Sequence, residues 1–247
     1  MSSGVTDIVG ETRRVPDLTR DELRACFELL QRLFLGVTWE DFLRDLEEKD
    51  DVMFLRDADT GAIGGFSTLT ELEIDVAGEP VPVVFSGDTA VLPEYRTSFA
   101  LGQELARHFH HAHERNPGRP VSYVLISKGW RTYRIMPFFF REFFPRHDAE
   151  MPHFERALID AFGETRFPDR YAQGVIRVAG EPAPRIRPDS VDAVPARNDP
   201  HTEYFLHVNS RYLEGDELVC AALIHPTNYT GRTRRLLGLS RHPSGAA

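Results

Sequence analysis

Asp88 is the one ionisable residue in the run 83–92, VVFSGDTAVL, which is otherwise apolar or small. Such a run reads as a strand. Burial inside it would raise the pKa of a carboxylate toward the range a general base needs near neutral pH. Glu71 and Glu73 also lie on a strand candidate, but they alternate with Leu72 and Ile74, the pattern of a strand with one face in water. They rank behind Asp88 as proton acceptors. Ser127 closes a second apolar run, 121–127, and is followed by Lys128 and Gly129. The carboxyl ends of strands in open α/β sheets are where ligands sit, so Ser127 is a further candidate.

The Asp88 run ends at Leu92-Pro93. Glu94-Tyr95-Arg96 and a short polar turn follow, then a helix with Leu101, Leu105, Phe109 and Ala112 on its apolar face. A strand that turns straight into a helix leaves the first backbone N–H groups of that helix without partners, which makes an anion site. The same helix carries His108, His110, His111 and His113. They lack the i,i+4 pairing of a metal-binding helix, so they read as a solvated face and no metal is expected. Arg232, Arg234 and Arg235 also read as a solvated face, with contact to an anionic carrier or phosphate as the alternative.

The chain has 247 residues, 41% of them hydrophobic, enough for a real core. Its net charge of −9, without a basic block, argues against nucleic acid as partner. Cys26 and Cys220 stand in apolar contexts, which fits free thiols in a reducing cytoplasm rather than a disulfide framework or a zinc site. No signal peptide and no membrane span are visible, so the chain is expected to be soluble and cytoplasmic.

The elements that must position these residues follow from local signals. Thr19 with Glu22 three places on is a capping-box pattern, followed by helical spacing at Leu23, Phe27, Leu30 and Phe34. Gly36 closes that helix, and Thr38 caps a second over 39–49. Three strands are expected over 52–56, 63–75 and 81–92, separated by turns at Asp59-Thr60-Gly61 and Ala77-Gly78-Glu79-Pro80. A helix over 98–115 stops at Asn116-Pro117-Gly118, and 121–127 should lie parallel to the strand before it. Residues 133–144, YRIMPFFFREFF, suggest a helix interrupted near Pro137 and a core cluster, with an apolar pocket for an acyl chain as the alternative. A helix over 152–162 and a strand over 171–178 follow. Residues 180–195 read as a linker, and 181–247 as an extension packed on a main body of 1–180, with a helix near 200–212, a strand over 217–224 and a basic helix near 228–237.

Two helices, a run of strands and then strand–turn–helix, with V-L-P-E-Y-R at the joint, resembles the GCN5-related N-acetyltransferase fold. The match is close over 83–105 and looser over 20–180. Val91, Pro93 and Arg96 fit the motif Val-x-Pro-x-x-Arg. The third and fifth positions after the arginine, glycines in the family, are here Phe99 and Leu101. Side chains there would crowd a phosphate approaching the backbone.

The resemblance implies an α/β fold with a mixed central sheet flanked by helices. It implies acyl-coenzyme A as co-substrate and a small-molecule amine as acceptor. The amide of Val91 or Leu92 would polarise the thioester carbonyl. The amides of Thr97, Ser98, Phe99, Ala100 and Leu101, with Arg96, would cradle the pyrophosphate. Phe139 or Phe140 takes the place of the family's tyrosine acid, so Tyr133, a turn or two earlier, is the substitute candidate. Two alternatives stay open: an acyl-carrier-protein donor or other diverged chemistry, and a non-catalytic binding or assembly protein that keeps only the fold. Homo-oligomers are compatible with either.

Overall fold

The computed structural model describes residues 7–178, 184–190 and 198–239. Strand β1 (Ile8–Arg14) lies at one edge of the sheet. Helix α1 (Arg20–Leu33) runs into a two-residue strand, β2 (Phe34–Leu35), and then α2 (Trp39–Glu47). Both helices start where the sequence predicts. Thr19 Oγ1 accepts from the Glu22 N–H while the Glu22 carboxylate accepts from the Thr19 N–H at 2.8 Å, and Thr38 Oγ1 accepts from the Asp41 N–H at 3.1 Å. Each such cap holds about 1 kcal/mol of stability. Cys26, Leu29, Leu30, Phe42 and Leu46 then fall at helical spacing and bury Val52, Phe54, Phe66 and Ala90 of one sheet face.

Strands β3 (Asp51–Asp57), β4 (Ile63–Val76) and β5 (Glu79–Val91) form an antiparallel meander, with β3 also paired to β1. A 3-10 turn (Pro93–Tyr95) leads into α3 (Ala100–Arg115), and β6 (Val121–Ser127) runs parallel to β5. The aromatic run folds as α4 (Trp130–Tyr133) and α5 (Ile135–Phe139). Pro137 falls in the first turn of α5, where its missing N–H costs nothing. Phe139, Phe140 and Phe143 pack with Phe109 of α3 and Tyr123 of β6. The aromatic cluster is therefore core, not an acyl pocket.

Helix α6 (His153–Arg166) covers the other face with Leu158, Ile159 and Phe162 over Phe85, Val124 and Val219. The strand expected over 171–178 is divided into β7 (Tyr171–Ala172) and β8 (Val175–Ile176). Gln173 and Gly174 between them both take positive φ, 52° and 82°, and so make a hairpin turn. Part of the expected linker over 180–195 lies outside the described residues. Within the rest, β9 (Arg185–Ile186) pairs with β2 as a small strap.

Helix α7 (Pro200–Val208), β10 (Glu217–Ile224) and α8 (Gly231–Leu236) follow. The region expected to pack on the body as an extension instead supplies a strand to the sheet. Strand β10 pairs antiparallel with β6, from Leu218 opposite Ser127 to Ile224 opposite Val121, and with β8 through Glu217 and Leu218. Val219 to Ala222 are at most 2% exposed, and a strand apolar on both faces belongs inside a sheet. Among the described residues the eight-stranded order is β1-β3-β4-β5-β6-β10-β8-β7.

Candidate functional site

Strands β5 and β6 pair only from Val83–Ser122 to Ser86–Leu125. Beyond that point β5 stays with β4 up to Val91 while β6 ends at Ser127, so the sheet splays at the carboxyl ends of the two strands. The divergence begins at a bulge. Ser86 faces Leu69 and Thr89 faces Ser67, leaving Gly87 and Asp88 together opposite Thr68. An extra residue of this kind bends the strand and sharpens its twist. Gly87 has no room for a side chain: a Cβ would lie 2.7 Å from Lys49 Cε and 2.8 Å from Thr68 Oγ1.

Asp88 sits half-buried in the mouth of the splay. Burial, reinforced by the Asp45 and Glu217 carboxylates, pushes its pKa up to about 6 against the pull of Lys128 and Lys49. Those charges come from separate elements. The side chain of Lys49, just past α2, is 1% exposed, and Nζ donates to the Asp45 carbonyl at 2.9 Å and to Asp45 Oδ1 at 2.8 Å. Lys128, just past β6, lies 3.4 Å from Glu217 at the start of β10. Sequence reasoning singled out Asp88 but not Lys49 or Glu217, whose charges act on it. Lys49 stands in the polar stretch EEKDD with no pattern to mark it, and Glu217 looks like an ordinary strand start.

At the end of β5 the Leu92 N–H donates to the Gly64 carbonyl of β4 at 2.9 Å. Backbone groups alternate in direction along a strand, so the Val91 N–H points away from β4, into the splay. Of the two amides expected to polarise a carbonyl, Val91 is the one so directed. Its carbonyl, on the same edge, accepts from Arg96 Nε at 3.0 Å. Arg96 thereby staples the turn.

The amides of the turn are partly used within it. Those of Tyr95, Arg96 and Ser98 bond to Leu92, Pro93 and Tyr95, and that of Ala100 bonds to Ser98 Oγ at 3.1 Å. Gln103 bonds back along the helix to Phe99 at 2.8 Å. Leu101 and Gly102 lie before it, in the first turn, where N–H groups have no intrahelical acceptor. Thr97 is exposed at the rim. Phe99 does not fill the opening: it is 64% exposed and stacks on Phe138, centroids 6.3 Å apart and planes 19° from parallel. Leu101 turns toward the aromatic core.

Tyr133 and Ser127 are not brought to the site. Tyr133 is fully buried against Phe143, Tyr204 and Phe205, and its hydroxyl donates to the Pro145 carbonyl at 2.8 Å. Burial drives its phenol pKa well above the usual range. Ser127 is fully buried and its Oγ donates to the Gly129 carbonyl at 2.8 Å. The fold uses both hydroxyls, which leaves neither as proton donor or nucleophile. Glu71 and Glu73 lie on the far half of β4, Glu71 against Arg115 and 2.9 Å from His108, Glu73 2.7 Å from Arg119. Among the described residues no group of three or more His, Cys, Asp or Glu could hold a metal ion, and no helix is long and apolar enough to cross a membrane.

A family model described as an acetyltransferase (GNAT) domain matches residues 14–136. Among solved structures, the chain is similar to the GNAT family N-acetyltransferase YhbS from Escherichia coli in complex with CoA, at 19% identity over 54% of this chain and 69% of that one, with a TM-score of 0.37. It is similar to a GCN5-related N-acetyltransferase from Kribbella flavida at 19% identity over 57% of this chain and 36% of that one, TM-score 0.41. A conserved protein from Enterococcus faecalis V583 matches at 15% identity over 51% of this chain and 31% of that one, TM-score 0.38. The chain thus spans about a third of the length of the last two. No curated protein matches it. The matched residues include the splayed strands and the turn they frame. Through residues 14–136, which hold β5, the Pro93 turn, α3 and β6, this chain belongs to the GCN5-related N-acetyltransferase superfamily.

Proposed function

We propose that this chain moves an acyl group from acyl-coenzyme A to the amine of a small molecule in the opening between β5 and β6. One observation carries the reading. Asp88, its pKa raised to about 6, stands on the same strand as Val91, whose N–H enters the same opening, and the first turn of α3 begins just beyond. A base, a carbonyl polariser and an anion site are the three parts that acyl transfer to an amine requires.

The chain's own residues divide the work as follows. Asp88 is largely ionised at neutral pH, and with Glu217 it draws an ammonium group into the splay. Asp88 takes the proton, freeing the nitrogen lone pair to attack the thioester carbonyl carbon. The Val91 N–H holds the negative charge that develops on the carbonyl oxygen. The new carbon–nitrogen bond forms, the nitrogen gives up its second proton to solvent, the carbon–sulfur bond breaks, and its electron pair leaves on sulfur. With Tyr133 buried, the thiolate takes its proton from solvent or from Asp88. The amides of Leu101 and Gly102 and the positive end of the α3 dipole hold the donor's phosphates at the rim. Phe99 points outward, so the changed glycine slot leaves that approach open.

The test is a thermal-shift titration with coenzyme A and acetyl-coenzyme A, followed by release of free thiol on adding a panel of small amines. A ligand that binds only the folded state raises the melting temperature. Absence of any shift at millimolar concentrations would overturn the reading.

A further inference from the structure

We infer that Phe99, Phe138 and Arg232 form a landing for the adenosine 3′-phosphate end of the donor; this rests on the acyl-coenzyme A reading above. Phe99 is the N-cap residue of α3 and exposes 64% of its surface beside the anion turn. Leaving a phenylalanine in water forgoes the burial that such side chains usually gain. Here the ring also stacks on Phe138, centroids 6.3 Å apart. The Arg232 guanidinium lies over the same Phe138 ring, 5.8 Å from its centroid. Arg232 is exposed.

The basic side chain is held there by the fold. The Thr230 N–H, Thr230 Oγ1 and Thr233 Oγ1, at the start of α8, donate to the carbonyls of Phe139, Phe138 and Phe139 at 2.9, 2.7 and 2.9 Å. Helix α8 also meets the start of α3: the Cβ position of Gly102 is 3.8 Å from Phe138 Cε1 and 4.0 Å from Leu236 Cδ1. An outward aromatic face with a fixed guanidinium beside it, next to a turn that takes phosphates, suits a purine base carrying its own phosphate. The base stacks on Phe99 and the phosphate meets Arg232.

Calorimetric titration of wild type, Phe99→Ala and Arg232→Ala with coenzyme A, 3′-dephospho-coenzyme A and adenosine 3′,5′-bisphosphate tests this. Both side chains are exposed, so unchanged melting temperatures are expected. Phe99→Ala should weaken all three ligands about tenfold, since each carries the base. Arg232→Ala should weaken coenzyme A and the bisphosphate about tenfold but leave 3′-dephospho-coenzyme A unchanged. Equal affinities in wild type and both variants, or no binding of the bisphosphate at millimolar concentration while coenzyme A binds, overturn the landing. A wild type that binds coenzyme A in no form fails the parent reading instead.

Discussion

The ring of Tyr95 lies so close against Gly64 that its Cε1 and Cζ stand 2.2 Å from the point where a Cβ on Gly64 would be. The same glycine accepts the Leu92 N–H, so the Pro93 turn is clamped to β4 by one hydrogen bond and one ring. Gly64→Ala should push Tyr95 off. The expected loss is about 1–3 kcal/mol in urea unfolding, the usual size of an overpacking error. Tyr95→Ala in the Gly64→Ala background should recover part of it, which a double-mutant cycle reads directly. Additive losses would show that the clamp does not exist.

Asp88→Asn should reduce acyl transfer on the order of 10²–10⁴-fold while acyl-coenzyme A affinity holds, because the lost group acts on the proton and not on the donor. The same substitution should stabilise the fold at neutral pH. Asp88 titrates near 6 when folded and near 3.8 when unfolded, so the folded state binds more protons across that window. Its contribution is therefore greatest below pH 4 and falls as pH rises to about 6. The variant should gain up to about 3 kcal/mol over wild type at pH 7 relative to pH 3, from a shift of roughly two units. Thermal melts of both proteins across pH 3–8 check the sign; a variant that instead melts earlier at pH 7 makes Asp88 a structural carboxylate.

Lys49→Met should move the acidic limb of the rate profile to higher pH. The buried ammonium favours the ionised form of Asp88, and Asp45, Glu217 and the desolvated setting oppose it. Removing the cation leaves the opposing terms, so Asp88 gives up its proton later. The Asp45 carboxylate left behind is 46% exposed and can be solvated, so the fold should survive. A limb that stays near pH 6 would mean that Lys49 does not act on Asp88.

Arg96→Ala should weaken acyl-thioester binding by about 1.5–3 kcal/mol, the range for hydrogen bonds involving a charged group. Arg96 also staples the turn through the Val91 carbonyl, so the rate at saturating donor should fall as well. Unchanged affinity with the fold intact would remove Arg96 from the site.

Much of the frame was legible in the sequence because it is local. Thr19, Thr38, Gly61 and Gly78 mark boundaries within a few residues of themselves, and the runs 121–127 and 217–224 became β6 and β10 as read. What distant partners decide was not legible. Tyr133 read as a spare hydroxyl because Pro145, Tyr204 and Phe205, which enclose it, come later in the chain. Asp88 stood out by its apolar neighbours, but Lys49, Lys128 and Glu217 join it only once α2, β6 and β10 are assembled. The adjacency of β10 to β6 leaves no mark in the strand beyond its two apolar faces.

That adjacency has a consequence for how the protein is made. Among the described residues, strand β8 bonds only to β7 and β10, and the outer edge of β6 bonds only to β10. Until residue 224 has left the ribosome, the nascent chain carries a bare apolar strand edge beside the future site, the kind of edge on which chains join one another. Chain shortened ahead of β10 should therefore collect as aggregate, even though every residue of the β5–α3–β6 unit is present, and the arrival of β10 becomes the step that covers the edge of β6.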